Sequence, residues 1–140
     1  MSFEFAKEKA LRYLLVSKKT EQEVRDKLKK LKVDNDIIDK VINYLTELNY
    51  INDEEYLDAY IRQCMRLLNY SVFEIKQKML QKGIKKCIIE KKLDELNNTN
   101  YENDIINRLL NSKLKNMESI KQKQYLYRRG FKISDYNSEY

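Results

Sequence analysis

Apolar side chains recur along this chain at three- and four-residue steps with little interruption. Ile38, Val41, Ile42, Leu45 and Leu48 form one stripe, and Leu57, Ile61, Cys64, Met65 and Leu68 a second. Ile106, Leu110 and Leu114 form a third, with Ile105 and Leu109 beside it. Such spacing gathers each set on one face of an α-helix, with polar residues on the other. No segment alternates apolar and polar positions for more than a few residues. The pattern predicts an all-α fold.

Helix-start signals reveal a repeat. Thr20-Glu21-Gln22-Glu23 and Ser71-Val72-Phe73-Glu74 are capping boxes 51 residues apart. In each, the hydroxyl can accept from the amide three residues on while the glutamate reaches back to the cap amide. The following residues agree in register, Val24, Leu28 and Val33 against Ile75, Met79 and Ile84. Forty-seven residues downstream, Tyr127-Arg128-Arg129-Gly130-Phe131 matches Leu80-Gln81-Lys82-Gly83-Ile84, so the two glycines of the protein share one place in two copies. A glycine just past a helix end takes the left-handed conformation that a Cβ opposes, and the next apolar residue folds back over the last turn. Lys32 stands there in the first copy, a less favourable cap. Asn49, which tolerates positive φ, closes the first unit.

The chain therefore reads as tandem three-helix units of about 1–49, 50–98 and 99–140, the last incomplete. The helices are expected at about 4–17, 21–31, 35–48, 53–69, 72–82, 86–96, 102–115 and 117–129, with a remnant from Ser134. Units this small bury too little apolar surface to stand alone, so they should stack into an elongated solenoid that can curve.

Composition removes most chemistry. The 140 residues include no His, no Pro and two Gly. Without His, the Ser-His, Cys-His and His-metal arrangements are unavailable. Cys64 and Cys87 form no CxxC pair and read as small buried hydrophobes. There is no Gly-rich phosphate loop, and Glu54 and Glu55 occupy a helix start rather than an acid/base pair. No catalytic residue, metal or cofactor is expected. The N-terminal residues lack the apolar core of a signal peptide, and Leu14-Leu15-Val16 is far short of a membrane span, so a cytoplasmic protein is expected. A monomer is the working expectation. Lys and Arg number 28 against 22 Asp and Glu, a net charge of +6, which favours an anionic partner.

Several segments resemble the RecX family, bacterial modulators of the RecA recombinase filament. They are Ala10–Leu14, Thr20–Leu28, Leu45–Tyr56, Ile75–Ile84 and Tyr125–Phe131, with Leu80-Gln81-Lys82-Gly83-Ile84 and Leu126-Tyr127-Arg128-Arg129-Gly130-Phe131 the most specific. The resemblance implies tandem three-helix units and no enzymatic activity. It further implies binding along the groove of a RecA filament, with contacts to recombinase and DNA backbone. That binding would restrain filament assembly, ATP hydrolysis and strand exchange in recombination, DNA repair and the SOS response. Two features depart from the family: Ser17-Lys18-Lys19 stands where arginines are common, and about seven residues remain for the last helix.

Basic clusters are the candidate contacts. Lys82, Lys85 and Lys86 flank Gly83; Arg128, Arg129 and Lys132 flank Gly130; Lys27, Lys29, Lys30 and Lys32 hold the matching place in the first unit. Stacked units would align these turns into a basic line suited to a phosphate backbone or an acidic groove. Cations in a last turn also complement the helix dipole, so any single lysine there has a purely structural use. Residues 99–140 carry net +3, against +2 for 1–49 and +1 for 50–98, which makes Arg128 and Arg129 the first choices. Arg62 and Arg66 face away from their apolar stripe as a second contact, and Tyr125 and Tyr127 offer rings for base stacking. A different class remains open: helices 72–82 and 86–96 have helix-turn-helix spacing, with Lys85, Lys86, Lys91 and Lys92 on the groove-entering helix of a stand-alone DNA-binding module.

Overall fold

The computed structural model describes residues 2–133, which hold eight α-helices and no strand. They are α1 (Phe3–Val16), α2 (Glu21–Lys30), α3 (Asn35–Glu47), α4 (Asp53–Arg66), α5 (Val72–Gln81), α6 (Lys86–Asn97), α7 (Tyr101–Leu110) and α8 (Ser119–Arg128). The helix expected from Ser134 lies outside the described residues. Both capping boxes are complete, each with its hydroxyl and its glutamate bonded as expected. Four second and third helices end alike. The amide of the residue at positive φ and the amide after it turn back to carbonyls of the last turn. Gly83 (φ 84°) and Gly130 (φ 86°) supply two of these turns, Lys32 and Asn49 (both φ 64°) the others.

Three boundaries differ from expectation. α4 stops at Arg66 because the amides of Leu67 and Leu68 both turn to the Gln63 carbonyl, freeing Asn69 to meet α7 and α8. α7 stops at Leu110, and the turn that follows brings Leu114 back into the core, so α8 starts only at Ser119. Cys64 is buried, but Cys87, the second residue of α6, is exposed, correcting its expected place in the core. Leu48 and Met65 also leave their stripes for solvent, since each falls in or next to a helix's fraying last turn.

Apolar burial forms two bodies. Ala6, Ala10, Val24, Leu28, Val33, Ile38, Val41, Ile42, Leu45 and Ile51 close around α1–α3, where the two alanines let α1 lie close on its neighbours. A second core runs without a break from Leu57 through Ile75, Ile89, Tyr101, Ile105 and Leu126 to Ile133.

One polar joint, used twice, stacks the units. Thr20, fully buried, accepts the Glu23 amide on Oγ1 (3.2 Å) and donates the same hydroxyl to the Lys82 carbonyl at the end of α5 (2.7 Å). Ser71 repeats this, accepting from the Glu74 amide (3.1 Å) and donating to the Arg129 carbonyl at the end of α8 (2.6 Å). Glu23 pairs with Lys82 (3.2 Å), and Glu74 with Arg129 (2.7 Å). The Glu21 amide donates to Asp53 (2.9 Å), the Val72 amide to Glu102 (2.8 Å). The positive end of each second helix thus meets the negative end of the next, a favourable dipole contact. The glycines permit the approach: a Cβ on Gly83 would fall 2.6 Å from Gln22 Cγ, and one on Gly130 2.8 Å from Phe73 Cβ.

Two outcomes follow for urea unfolding. Gly83→Ala should lose about 2 kcal/mol, combining left-handed strain with overlap at Gln22, whereas Lys32→Gly should gain about 1 kcal/mol because glycine takes the positive φ of that exposed position without strain. Arg129→Ala should lose about 2–3 kcal/mol by stranding Glu74, while its neighbour's Arg128→Ala stays within about 0.5 kcal/mol of the parent.

Candidate partner-binding surface

The helix dipole sorts the cations. Lys27, Lys29 and Lys30 occupy the last turn of α2 and Arg128 that of α8, where positive charge complements free carbonyls. Lys27 is half-buried over the Tyr13 ring (5.5 Å to its centre), while Lys30, Lys32 and Arg128 are exposed with no described side-chain partner. Lys85 and Lys86 have no such explanation. They are the N-cap and first residue of α6, a start with no side-chain cap and no acid in its first turn. Positive charge there opposes the dipole, and uncovered amides and lysines together favour an anion. Lys86 makes one long ion pair along its own helix, to Glu90 at 3.7 Å. Lys85 faces the cleft that holds Asp53. Burial raises the pKa of the Asp53 carboxyl, which the Glu21 hydrogen bond and the nearby Lys85 partly offset.

Lys132 holds the position of Lys85 in the third unit. It is exposed, and its backbone amide donates to Glu102 (2.9 Å). The first unit has Asp34 at this place, the N-cap of α3. The basic position after the turn therefore recurs in two units rather than three.

Lys82 and Arg129 are differently engaged from the sequence expectation. The Arg129 guanidinium is held bidentately by Glu74, bonded to the Tyr125 hydroxyl (2.9 Å) and to the Asn69 carbonyl. Burial disfavours its charge, but Glu74 and Tyr125 more than compensate, and its pKa rises. Lys82 is likewise raised, first by its hydrogen bond to Glu23. Both cations tie one unit to the next. Tyr125 is part of the same joint and packs on the core, whereas Tyr127 is 73% exposed. Arg62 and Arg66 are exposed on α4, where they line a shallow cleft of about 440 Å³ with Ala59, Gln63 and Met65. Of the further lysines on α6, Lys91 is exposed and Lys92 is turned back to Asp58 of α4 (3.2 Å).

Sequence reading did not anticipate that Thr20, Ser71, Glu23 and Glu74 serve two helices at once, nor that Asp53 and Glu102 cap a helix of the preceding unit. The available signal was recurrence of charge between copies: Glu102 follows Asp53 by 49 positions and Arg129 follows Lys82 by 47. In the assembled chain, the cationic ends of α2, α5 and α8 follow one another through these joints. Each is separated from the next by a ten-residue helix of roughly 15 Å. That geometry spaces positive charge along the array.

No helix among the described residues is long and apolar enough to cross a membrane. Residues 6–45 match the family model for the first three-helix domain of RecX, and residues 52–93 that for the second. The regulatory protein RecX of Clostridium beijerinckii is 42% identical over 103 residues, covering 74% of this chain and 46% of that protein. That of Streptococcus uberis is 40% identical over 94 residues, covering 67% and 36%. The chain thus spans about a third to a half of the length of these curated relatives. That of Caldanaerobacter subterraneus aligns over 131 residues at 33% identity, covering 93% and 66%. The crystal structure of RecX from Lactobacillus salivarius superposes with a TM-score of 0.80 at 29% identity, covering 94% of this chain and 90% of that one. The repeated helix-end joints, the two matched three-helix domains and these relatives together place the chain in the RecX family of regulatory proteins.

Proposed function

We propose that this protein binds the nucleoprotein filament of a RecA-type recombinase in the cytoplasm, as a monomer, and restrains its assembly, ATP hydrolysis and strand exchange. Membership of the RecX family supports the partner. The observation that supports the surface is the placing of Lys85 and Lys86 at the uncapped start of α6, where their charge opposes the helix dipole. Lys132, Arg128 and Lys30 extend the same charge along the successive turns, with Arg62 and Arg66 as a further exposed pair. Their contacts are to phosphate backbone or acidic protein groups, which select for charge and spacing rather than base sequence. The protein acts by occupying a groove and does no covalent chemistry.

The helix-turn-helix alternative needs a free recognition helix. Lys92 is drawn to Asp58, and the same turn recurs between α2 and α3, which argues for a stacking element.

Added below the concentration of a cognate recombinase, the protein should lower DNA-dependent ATP hydrolysis and shorten filaments seen by electron microscopy. The Lys85→Glu, Lys86→Glu, Arg128→Glu triple variant should need about tenfold more protein for the same effect while keeping its helical circular dichroism. Unchanged hydrolysis and filament length at equimolar protein would overturn the proposal. Sequence-selective duplex binding without recombinase would support the alternative instead.

A further inference from the structure

The two joints share one plan and differ at four equivalent places. Where the second joint has Phe73, Tyr101, Arg108 and Arg129, the first has Gln22, Asn52, Ala59 and Lys82. Tyr101 is buried and donates its hydroxyl to the Tyr70 carbonyl (2.6 Å). Arg108 reaches Asn69 (3.2 Å) and the Met65 carbonyl, and Arg129 makes the fork to Glu74. Neither Asn52 nor Ala59 replaces these links: Asn52 caps its own helix, and Ala59 lines an open cleft of about 320 Å³ with Ser17, Lys18, Tyr56, Tyr60 and Gln63. A second cleft, about 400 Å³, is lined by Glu21, Asp53 and Lys85 among others. The apolar cores obey the same division, one confined to residues 6–51 and the other continuous across α4–α8.

We infer that the α1–α3 unit is hinged. It swings as a rigid body on the connector Leu48–Asn52, while α4–α8 behave as one block. What holds it closed is a polar latch: the Thr20 hydroxyl on the Lys82 carbonyl, the Glu21 amide on Asp53, Glu23 with Lys82, and the exposed pair Lys18 with Glu55 at 3.5 Å. Such contacts exchange for water at little net cost, because no continuous apolar surface must be exposed when they part. Opening of the second joint would instead break a shared core, which is why the two should differ in frequency of opening.

Residue-resolved amide hydrogen exchange of the full chain tests this, since two equivalent amides report the two joints. The Glu21 amide is bonded across the first joint and the Val72 amide across the second. After correction for intrinsic rates, Glu21 should be protected at least about tenfold less than Val72, with the Leu45 amide inside α3 remaining as protected as the Leu93 amide inside α6. Lys82→Gln, which removes the charged half of the latch from the side opposite α2, should lower Glu21 protection further and leave Leu45 unchanged. Equal protection of Glu21 and Val72 would overturn the hinge, as would a Glu21 amide indifferent to Lys82→Gln. Leu45 exchanging as fast as Glu21 would overturn it too, since the unit would then be unfolding rather than swinging.

Discussion

Everything in this molecule depends on what happens at the start of the second helix in a unit. The first amides of a helix have no partner within it, and the last carbonyls of another helix have none either. Here the two deficits are settled together. A single hydroxyl, Thr20 or Ser71, accepts from its own helix and donates to the carbonyl ending the next unit's second helix. A hydroxyl has one donor and two acceptor sites, so it can do both without leaving either helix short. While the joint is closed the cap residue is buried and no water reaches it, so the register of one unit on the next is set by a single residue.

This constraint also divides the positive charge. Lys82 and Arg129 sit immediately before the glycines, on the carbonyls that the hydroxyls seek, so their side chains lie opposite Glu23 and Glu74. Arg128, one residue earlier, and Lys85, Lys86 and Lys132, past the glycines, are exposed. Arg128 and Arg129 are adjacent in sequence yet have opposite uses, because successive residues of a helix point about 100° apart. The third unit carries the largest net charge, but part of that charge holds the array together.

Unequal joints give the array unequal stiffness. The second has an aromatic ring against Gly130, a buried tyrosine and two arginines on backbone carbonyls. The first has only short polar links flanked by clefts. A repeat protein is stabilised by each unit and each interface separately, so a weak interface localises bending. A follower of a long, helical partner gains from one stiff block and one adjustable arm.

The sequence by itself determined the all-α class, the eight helix positions to within a few residues, the two capping boxes and the left-handed turns at Gly83, Gly130, Lys32 and Asn49. All of these are set by interactions between residues no more than five apart, which leave their mark on local spacing. The repeat was equally legible, because copies of one unit can be compared with each other. Which helix end meets which, and therefore the double use of Thr20, Ser71, Glu23 and Glu74, was decided only in the tertiary structure. So was the engagement of Lys82 and Arg129, and the exposure of Cys87. Those contacts join partners 30 to 62 positions apart, and a lysine or arginine looks the same in sequence whether its charge faces a half-buried glutamate or open water.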